Sequence, residues 1–261
     1  MIQEFFISKT ACLLHDPPTK AWDICARRDH ERRAREIASD ILMGSILEGA
    51  GGKLGLESVA RADCLAASID RWLLSELIGR QRGKFPYYEI KIKNIFNPKF
   101  SYVIEKEIDY PKNFTEELNK ILKPVNDPRL AYHILYASYE SLWILRNLPA
   151  SPADTRAPSH SIFDHVYATA SMMNWLIESE RPKGLLLFID LGGPQKFISS
   201  SRKLGDLWVS SYLASALAWS LFWILIKALG PDVMILPTCR GNAFYYHSLL
   251  SMLRNLSLIH I

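Results

Sequence analysis

His15 and Asp16 stand side by side in the stretch "LLHDPPTKAWD". An imidazole and a carboxylate at one helix end have two uses. They finish a helix in the ordinary way, or they supply adjacent ligands to a divalent ion, with neutral imidazole as the nitrogen donor. Pro17 and Pro18 follow at once and stop the helix read over residues 3–14, because proline removes a donor and restricts the residue before it. A His-Asp dipeptide is a weak signal by itself, so the remaining ligands have to come from elsewhere.

Two further positions qualify. In "ESVARADCLAASIDRWLLSELI" the residues Asp63, Ala66, Ala67 and Asp70 recur at helical spacing and share one stripe. Alanines there let another helix or an ion come close, although a half-exposed face with Asp70 paired to Arg71 fits the spacing as well. In "HSIFDHVYATASMMNWLIESE", Ser161 and Asp164 form a capping-box pattern, which gives Asp164 a structural role. His165 then opens a stripe through Ala168, Thr169 and Met172 that should face inward. The positive end of the helix dipole disfavours its protonated form and so favours the state that binds metal. A metal-dependent phosphohydrolase of the histidine-aspartate class uses a lone His, a His-Asp pair and a distant Asp. Here the order is rotated to pair, Asp, His, which a helical bundle tolerates because ligands are matched in space.

The elements that must hold these residues are mostly helical. "DHERRAREIASDILMGSIL" repeats Ala34, Ile37, Ala38, Ile41 and Leu42 at helical spacing. "GAGGKLG" lacks the Gly-Lys-Ser/Thr ending of a phosphate-binding loop and reads as a linker. "FPYYEIKIKNIFNPKFSYVIEKEIDY" alternates β-branched and aromatic residues about an Asn-Pro turn, which predicts a β-hairpin inserted at about residues 85–110. His133, among apolar neighbours, is expected to be a packed core residue, and "SPADTRAPS" a loop. Composition changes at "ERPKG". Beyond it the pattern is a strand over Leu185 to Asp190, a Gly-Gly turn, a helix, a strand at "VMILP" and the start of another helix. A ferredoxin-like unit needs more strands than that, so the second domain is expected to be incomplete at its C-terminus.

Bulk properties narrow the class. With 49% hydrophobic and 22% charged residues the chain reads as globular, and a net charge of +4 permits a nucleic-acid partner without requiring one. Four scattered cysteines without a Cys-x-x-Cys pair give no reading of a zinc ribbon or a disulfide framework and fit a reducing cytoplasm. The opening "MIQEFFISKT" lacks the basic and apolar regions of a signal peptide. Leu207 to Ile226 is uncharged and long enough for a bilayer span. Its serines and the strand-like run upstream favour a helix buried across a sheet, with no membrane partner.

"LLHDPPTKAWD", "RADCLAASIDRW", "DTRAPSHSIFDHVYATAS" and "LLLFIDLGGPQKFISSSRKLGDLWVSSYLAS", with "LPTCRGNAF" after them, resemble successive motifs of one family. It is the large subunit of type III CRISPR effector complexes of the Cmr kind. The resemblance implies an α+β chain. Residues 1–181 would be an all-α, permuted HD-type nuclease domain carrying the hairpin, and residues 182–261 a partial ferredoxin-like palm domain. It implies that His15, Asp16, Asp63 and His165 bind one or two divalent ions (Mn, Ni, Fe or Zn) and hydrolyse phosphodiester bonds of single-stranded DNA. His160 and Asp164 are second-rank ligands or orienters, and His30 ranks third. Ser199, Ser200, Arg202 and Lys203 are candidates to face nucleotide. ATP is a substrate only of the full-length family member, because the Gly-Gly-Asp-Asp motif of cyclic oligoadenylate synthesis does not occur in this sequence, and Asp190 alone cannot hold two ions. The implied partners are the other subunits of the effector complex, guide RNA and target RNA, in the cytoplasm. The alternative is a degenerate scaffold that keeps the fold and the partners but not the ions.

Overall fold

The structure, a computed structural model, describes residues 2–68, 72, 91–93, 97, 99, 101–103, 111–154, 160–176 and 181–257. Contacts divide the chain into two units, Met1–Arg181 and Pro182–Ile261.

The first unit is built around α1 (Ile2–Leu14). Phe6, Ala11, Cys12, Leu13 and Leu14 are buried, and so are Ser8, Lys9 and Thr10. A helix buried on every side lies inside its bundle, where an amphipathic one would lie on the surface. Its polar residues are satisfied: Ser8 donates to the Glu4 carbonyl and Thr10 to the Phe6 carbonyl within the helix, and the Lys9 ammonium donates to the distant Asn174 Oδ1 at 3.1 Å. The helix ends before the proline pair, and α2 (Lys20–Cys25) starts directly beyond it.

α3 (His30–Leu42) is amphipathic as its spacing predicts, burying Ala34, Ile37, Ala38, Ile41 and Leu42. Asp29 caps it by accepting from the Glu31 and Arg32 amides. The Gly-rich segment expected to be a linker is instead a 3-10 turn over Glu48–Lys53, with Ala50 buried, packed against α1 and α3.

α4 (Glu57–Ala66) carries Asp63, and it buries Val59 and Ala62. Asp70, which shares its predicted stripe, lies outside the described residues. β1 (Lys91–Lys93) and β2 (Ser101–Val103) pair antiparallel with Ile92 opposite Tyr102. Most of the predicted insertion at 85–110 lies outside the described residues.

α5 (Lys112–Leu122), α6 (Pro128–Leu145) and α7 (Ile162–Met173) complete the unit. α7 packs on both α1 and α4, so the three helices that hold the candidate ligands are mutual neighbours. A cluster of aromatic rings fills the space between α5, α6 and α7. Trp143 meets Phe114 edge-on at 5.2 Å and Phe163 at 6.5 Å, and Tyr139 meets Phe163 at 5.5 Å.

The second unit differs from expectation. α8 (Pro194–Ser199), α9 (Leu204–Leu229) and α10 (Ala243–Ser257) are helical, and Gly193, with φ of 76°, makes the left-handed entry to α8. The strands expected over Leu185 to Asp190 and at "VMILP" are not formed. Leu185 and Phe188 are 95% and 87% exposed. A strand exists only through pairing, and among the described residues of this unit none offers these segments a ladder. The ferredoxin-like order is therefore not formed here. α9 was expected to be a buried helix, but Trp219 and Ile226 are its only buried residues. Trp219 is held by α10, donating through Nε1 to Ser248 Oγ at 3.0 Å and stacking on Phe244. By length and composition α9 would also cross a bilayer, a test that core helices of other proteins pass as well.

Truncation of the buried Trp143 in the first unit should cost about 3–5 kcal/mol. Chemical denaturation of Trp143→Ala against the parent chain measures it. A loss below about 1 kcal/mol would show that the aromatic cluster does not carry the core.

Candidate metal centre

Four side chains distant in sequence meet at one corner of the first unit. His15 extends from the end of α1, and its Nδ1 lies 2.7 Å from the Cys12 carbonyl oxygen. A carbonyl only accepts, so Nδ1 carries a proton and Nε2 is the atom that faces the site. That Nε2 is buried and has no hydrogen-bond partner. It lies 3.4 Å from Asp16 Oδ2 and 3.9 Å from Asp63 Oδ1, the latter an electrostatic contact too long for a hydrogen bond. His165, in the first turn of α7, places its Nε2 3.0 Å from Asp63 Oδ1 and 3.6 Å from Asp16 Oδ2. The two imidazole rings are 5.3 Å apart.

The local sequence explains each placement. The proline pair turns the chain so that Asp16 folds back beside His15. Asp63 projects from α4 next to Ala62, which is fully buried. The capping box at Ser161 is formed, with Ser161 accepting from the Asp164 amide and Asp164 accepting from the Ser161 amide. The cap fixes where α7 begins and therefore which way His165 points.

Charge is balanced inside the cluster. Burial alone would lower the His15 pKa, but the Asp16 and Asp63 carboxylates outweigh it, and the net shift is upward. Burial alone would raise Asp16, yet His15 and then Lys20 hold it below the usual carboxylate range. Asp63 is likewise held well below that range, against its burial, by His15 and His165. The Lys20 ammonium sits 2.5 Å from Asp16 Oδ2. The Tyr139 hydroxyl is buried without a partner, and burial, with the charge of Asp16 second, pushes its phenol up.

The donor set fits a divalent transition ion. Atoms about 2.1 Å from a common centre stand about 3.0–3.4 Å apart in octahedral or tetrahedral arrangements. The separations of 3.0 and 3.4 Å fall at the ends of that range, and those of 3.6 and 3.9 Å lie just above it. The ligand atoms of His15, Asp16 and His165 all lie within 4.8 Å of one another. Two nitrogens and two carboxylates suit Mn, Fe, Ni or Zn, and the unpartnered Nε2 of His15 is the kind of buried acceptor that such an ion would satisfy.

The other predicted site residues are elsewhere. The Asp164 Oδ2 is engaged by the Ser161 amide and hydroxyl, so the carboxylate serves the cap. His160 is half-buried and offers its carbonyl to the Ala153 amide, outside the cluster of ligand atoms. His30 begins α3, also outside it. His133 is fully buried. Ser199 and Ser200 donate to the Lys196 and Phe197 carbonyls of their own helix, and Arg202, Lys203 and Asp190 are exposed. Sequence reasoning missed Lys20 and Tyr139. Lys20 was within reach, since it follows Asp16 by four residues, a spacing that brings opposite charges together.

Comparison with known proteins places the chain. Residues 186–259 match the family described as CRISPR-associated protein Cmr2, N-terminal. The chain is 38% identical to the CRISPR system CMR subunit Cmr2 of Saccharolobus solfataricus, over 97% of this chain and 25% of the relative. It is 26% identical to the CRISPR system Cmr subunit Cmr2 of Pyrococcus furiosus, over 89% of this chain and 31% of that protein. The chain thus spans a quarter to a third of the length of these curated relatives. No solved structure matches it. The family match lies in the second unit, whereas the alignment with the Saccharolobus protein covers nearly all of this chain. The chain belongs to the Cmr2 family of CRISPR-associated proteins.

Proposed function

We propose that the helical unit is a metal-dependent nuclease centre of the HD type that hydrolyses phosphodiester bonds in single-stranded DNA. The observation that carries this reading is the convergence of His15, Asp16, Asp63 and His165 around an unpartnered, buried Nε2. These four would hold one or two divalent ions. A bound divalent ion lowers the pKa of water and polarises a phosphoryl oxygen. The chain's own residues do the rest. The Cys12 carbonyl keeps the His15 proton on Nδ1 and leaves Nε2 as the donor. Lys20, partly exposed beside Asp16, offers an ammonium to a phosphoryl oxygen of the substrate.

The relatives are named as subunits of a CRISPR Cmr system. We infer the same setting here: a type III effector complex in the cytoplasm, in antiviral defence, with guide and target RNA bound through the assembled subunits. Within it residues 182–261 would form the first part of a palm domain, and ATP would be used only by the full-length protein.

Purified chain supplied with Mn(II) or Ni(II) should cut labelled single-stranded DNA, and His15→Ala combined with Asp16→Ala should reduce cutting to background. Equal cutting by the double variant would reject the assignment.

Ion loading should also depend on pH with a definite sign. The raised His15 pKa lies above its ordinary 6.5, and this nitrogen must be neutral to bind. Mn(II) affinity measured by calorimetry should therefore rise between pH 6.5 and pH 8. In the ion-free chain the sign reverses, because protonated His15 stabilises the fold. That contribution is full below about 6.5 and is lost as pH rises through the folded value. Affinity flat across this range would contradict the role of His15.

A further inference from the structure

We propose that Ser151 is a positioning residue for the metal centre, fastening the His15–Asp16 corner to the helix that carries His165. The inference rests on the nuclease reading above and concerns how its ligands are held. His15 and His165 are 150 positions apart, and no local interaction sets their separation. Ser151 is fully buried, and each of its polar groups is used.

The Ser151 amide donates to the Pro18 carbonyl at 2.9 Å, two residues beyond Asp16. Its hydroxyl accepts from the Ala21 amide at 2.9 Å and donates to the Pro152 carbonyl at 2.9 Å. Its carbonyl accepts from the Ile162 amide at 2.8 Å, at the first residue of α7. A bridge between Pro152 and Ser161 and a bond from the Ala153 amide to the His160 carbonyl continue the same pairing. One residue therefore ties the turn after the ligand pair to the start of the helix that bears the third ligand.

The hydroxyl also does what α2 cannot do for itself. Thr19 occupies the N-cap of α2 but gives no side-chain cap, because its hydroxyl donates to Asp23 Oδ2 at 2.8 Å. The Ala21 amide, an orphan of the first helical turn, is satisfied by Ser151 across 130 residues of sequence instead. Ser151→Ala leaves both backbone bonds in place and removes this one. The turn holding Asp16 and Lys20 then keeps its backbone link at Pro18 but loses the bond that fixes the start of α2, and the ligand separations widen.

Partners that orient metal ligands typically change ion affinity by about 10–100-fold when removed. Mn(II) affinity and the visible spectrum of the Co(II)-loaded full chain are the readouts. Ser151→Ala is expected to bind Mn(II) at least about ten-fold more weakly and to show an altered Co(II) spectrum. Thr115→Ala is the control. Thr115 is equally sequestered, at 2% exposure, and its hydroxyl serves only the Lys112 carbonyl of its own helix. It should lose stability and keep both metal readouts. A folded Ser151→Ala with the affinity and spectrum of the parent overturns the proposal. Should that variant not fold, Ser151→Cys keeps the volume with a poor acceptor and is judged by the same two outcomes. A parent chain that binds no Mn(II) would instead reject the metal reading itself, a result distinct from failure of the Ser151 inference.

Discussion

Asp16 and Asp63 bring two negative charges into one largely buried corner, and everything else about the first unit has to accommodate them. A buried carboxylate without a partner costs several kcal/mol. Here the compensation comes from two imidazoles and one ammonium. Asp16 and Asp63 are pushed down and His15 is pushed up, which is the signature of charges that meet their opposites rather than of charges that neutralise. The same balance makes the corner receptive to a cation. A divalent ion would replace the His15 proton and meet both carboxylates at once, with the backbone already arranged for it.

That arrangement depends on how adjacent residues are divided between tasks. Asp164 and His165 are neighbours in sequence, yet successive residues on a helix project about 100° apart. Asp164 turns back to the Ser161 amide and completes the cap, while His165 turns inward to Asp63. His15 and Asp16 divide the work differently. The helix ends at Leu14, and both side chains leave the helical path and face the same space. A proline pair after the ligands and a serine cap before them are thus the local devices. The packing of α7 on α1 and α4 is the global one.

Much of this was legible in the sequence, because the signals were local or periodic. The Pro17–Pro18 stop located the corner, the capping box located the start of α7, and the stripe through His165 pointed that side chain inward, while the stripe through Asp63 fitted a half-exposed face as well. The same capping pattern made Asp164 ambiguous between cap and ligand, and only its hydrogen bonds decided. Ser151 could not be read, since its partners lie far away in sequence and its own surroundings, "SPADTRAPS", have loop composition. The strands expected at Leu185 to Asp190 and "VMILP" failed for a related reason. An apolar run specifies a strand only together with the strands beside it. Hydropathy likewise identified α9 as a helix but could not say what would cover it.

The two units carry their apolar residues in opposite ways, and this bears on where the chemistry resides. In the first, α1 is buried from Phe6 to Leu14 and packs with α4 and α7 of the same unit. The geometry of the candidate ligand cluster is therefore internal to Met1–Arg181. In the second, Leu185 to Phe188 and most of α9, from Trp208 through Ile224, present large apolar side chains to solvent. Apolar surface that extensive marks an interaction face in a working protein. A change there would act on solubility, whereas the ligand separations answer to α1, α4, α7 and the serine that ties them. The candidate ligand cluster and the exposed apolar surface thus belong to different units of the chain.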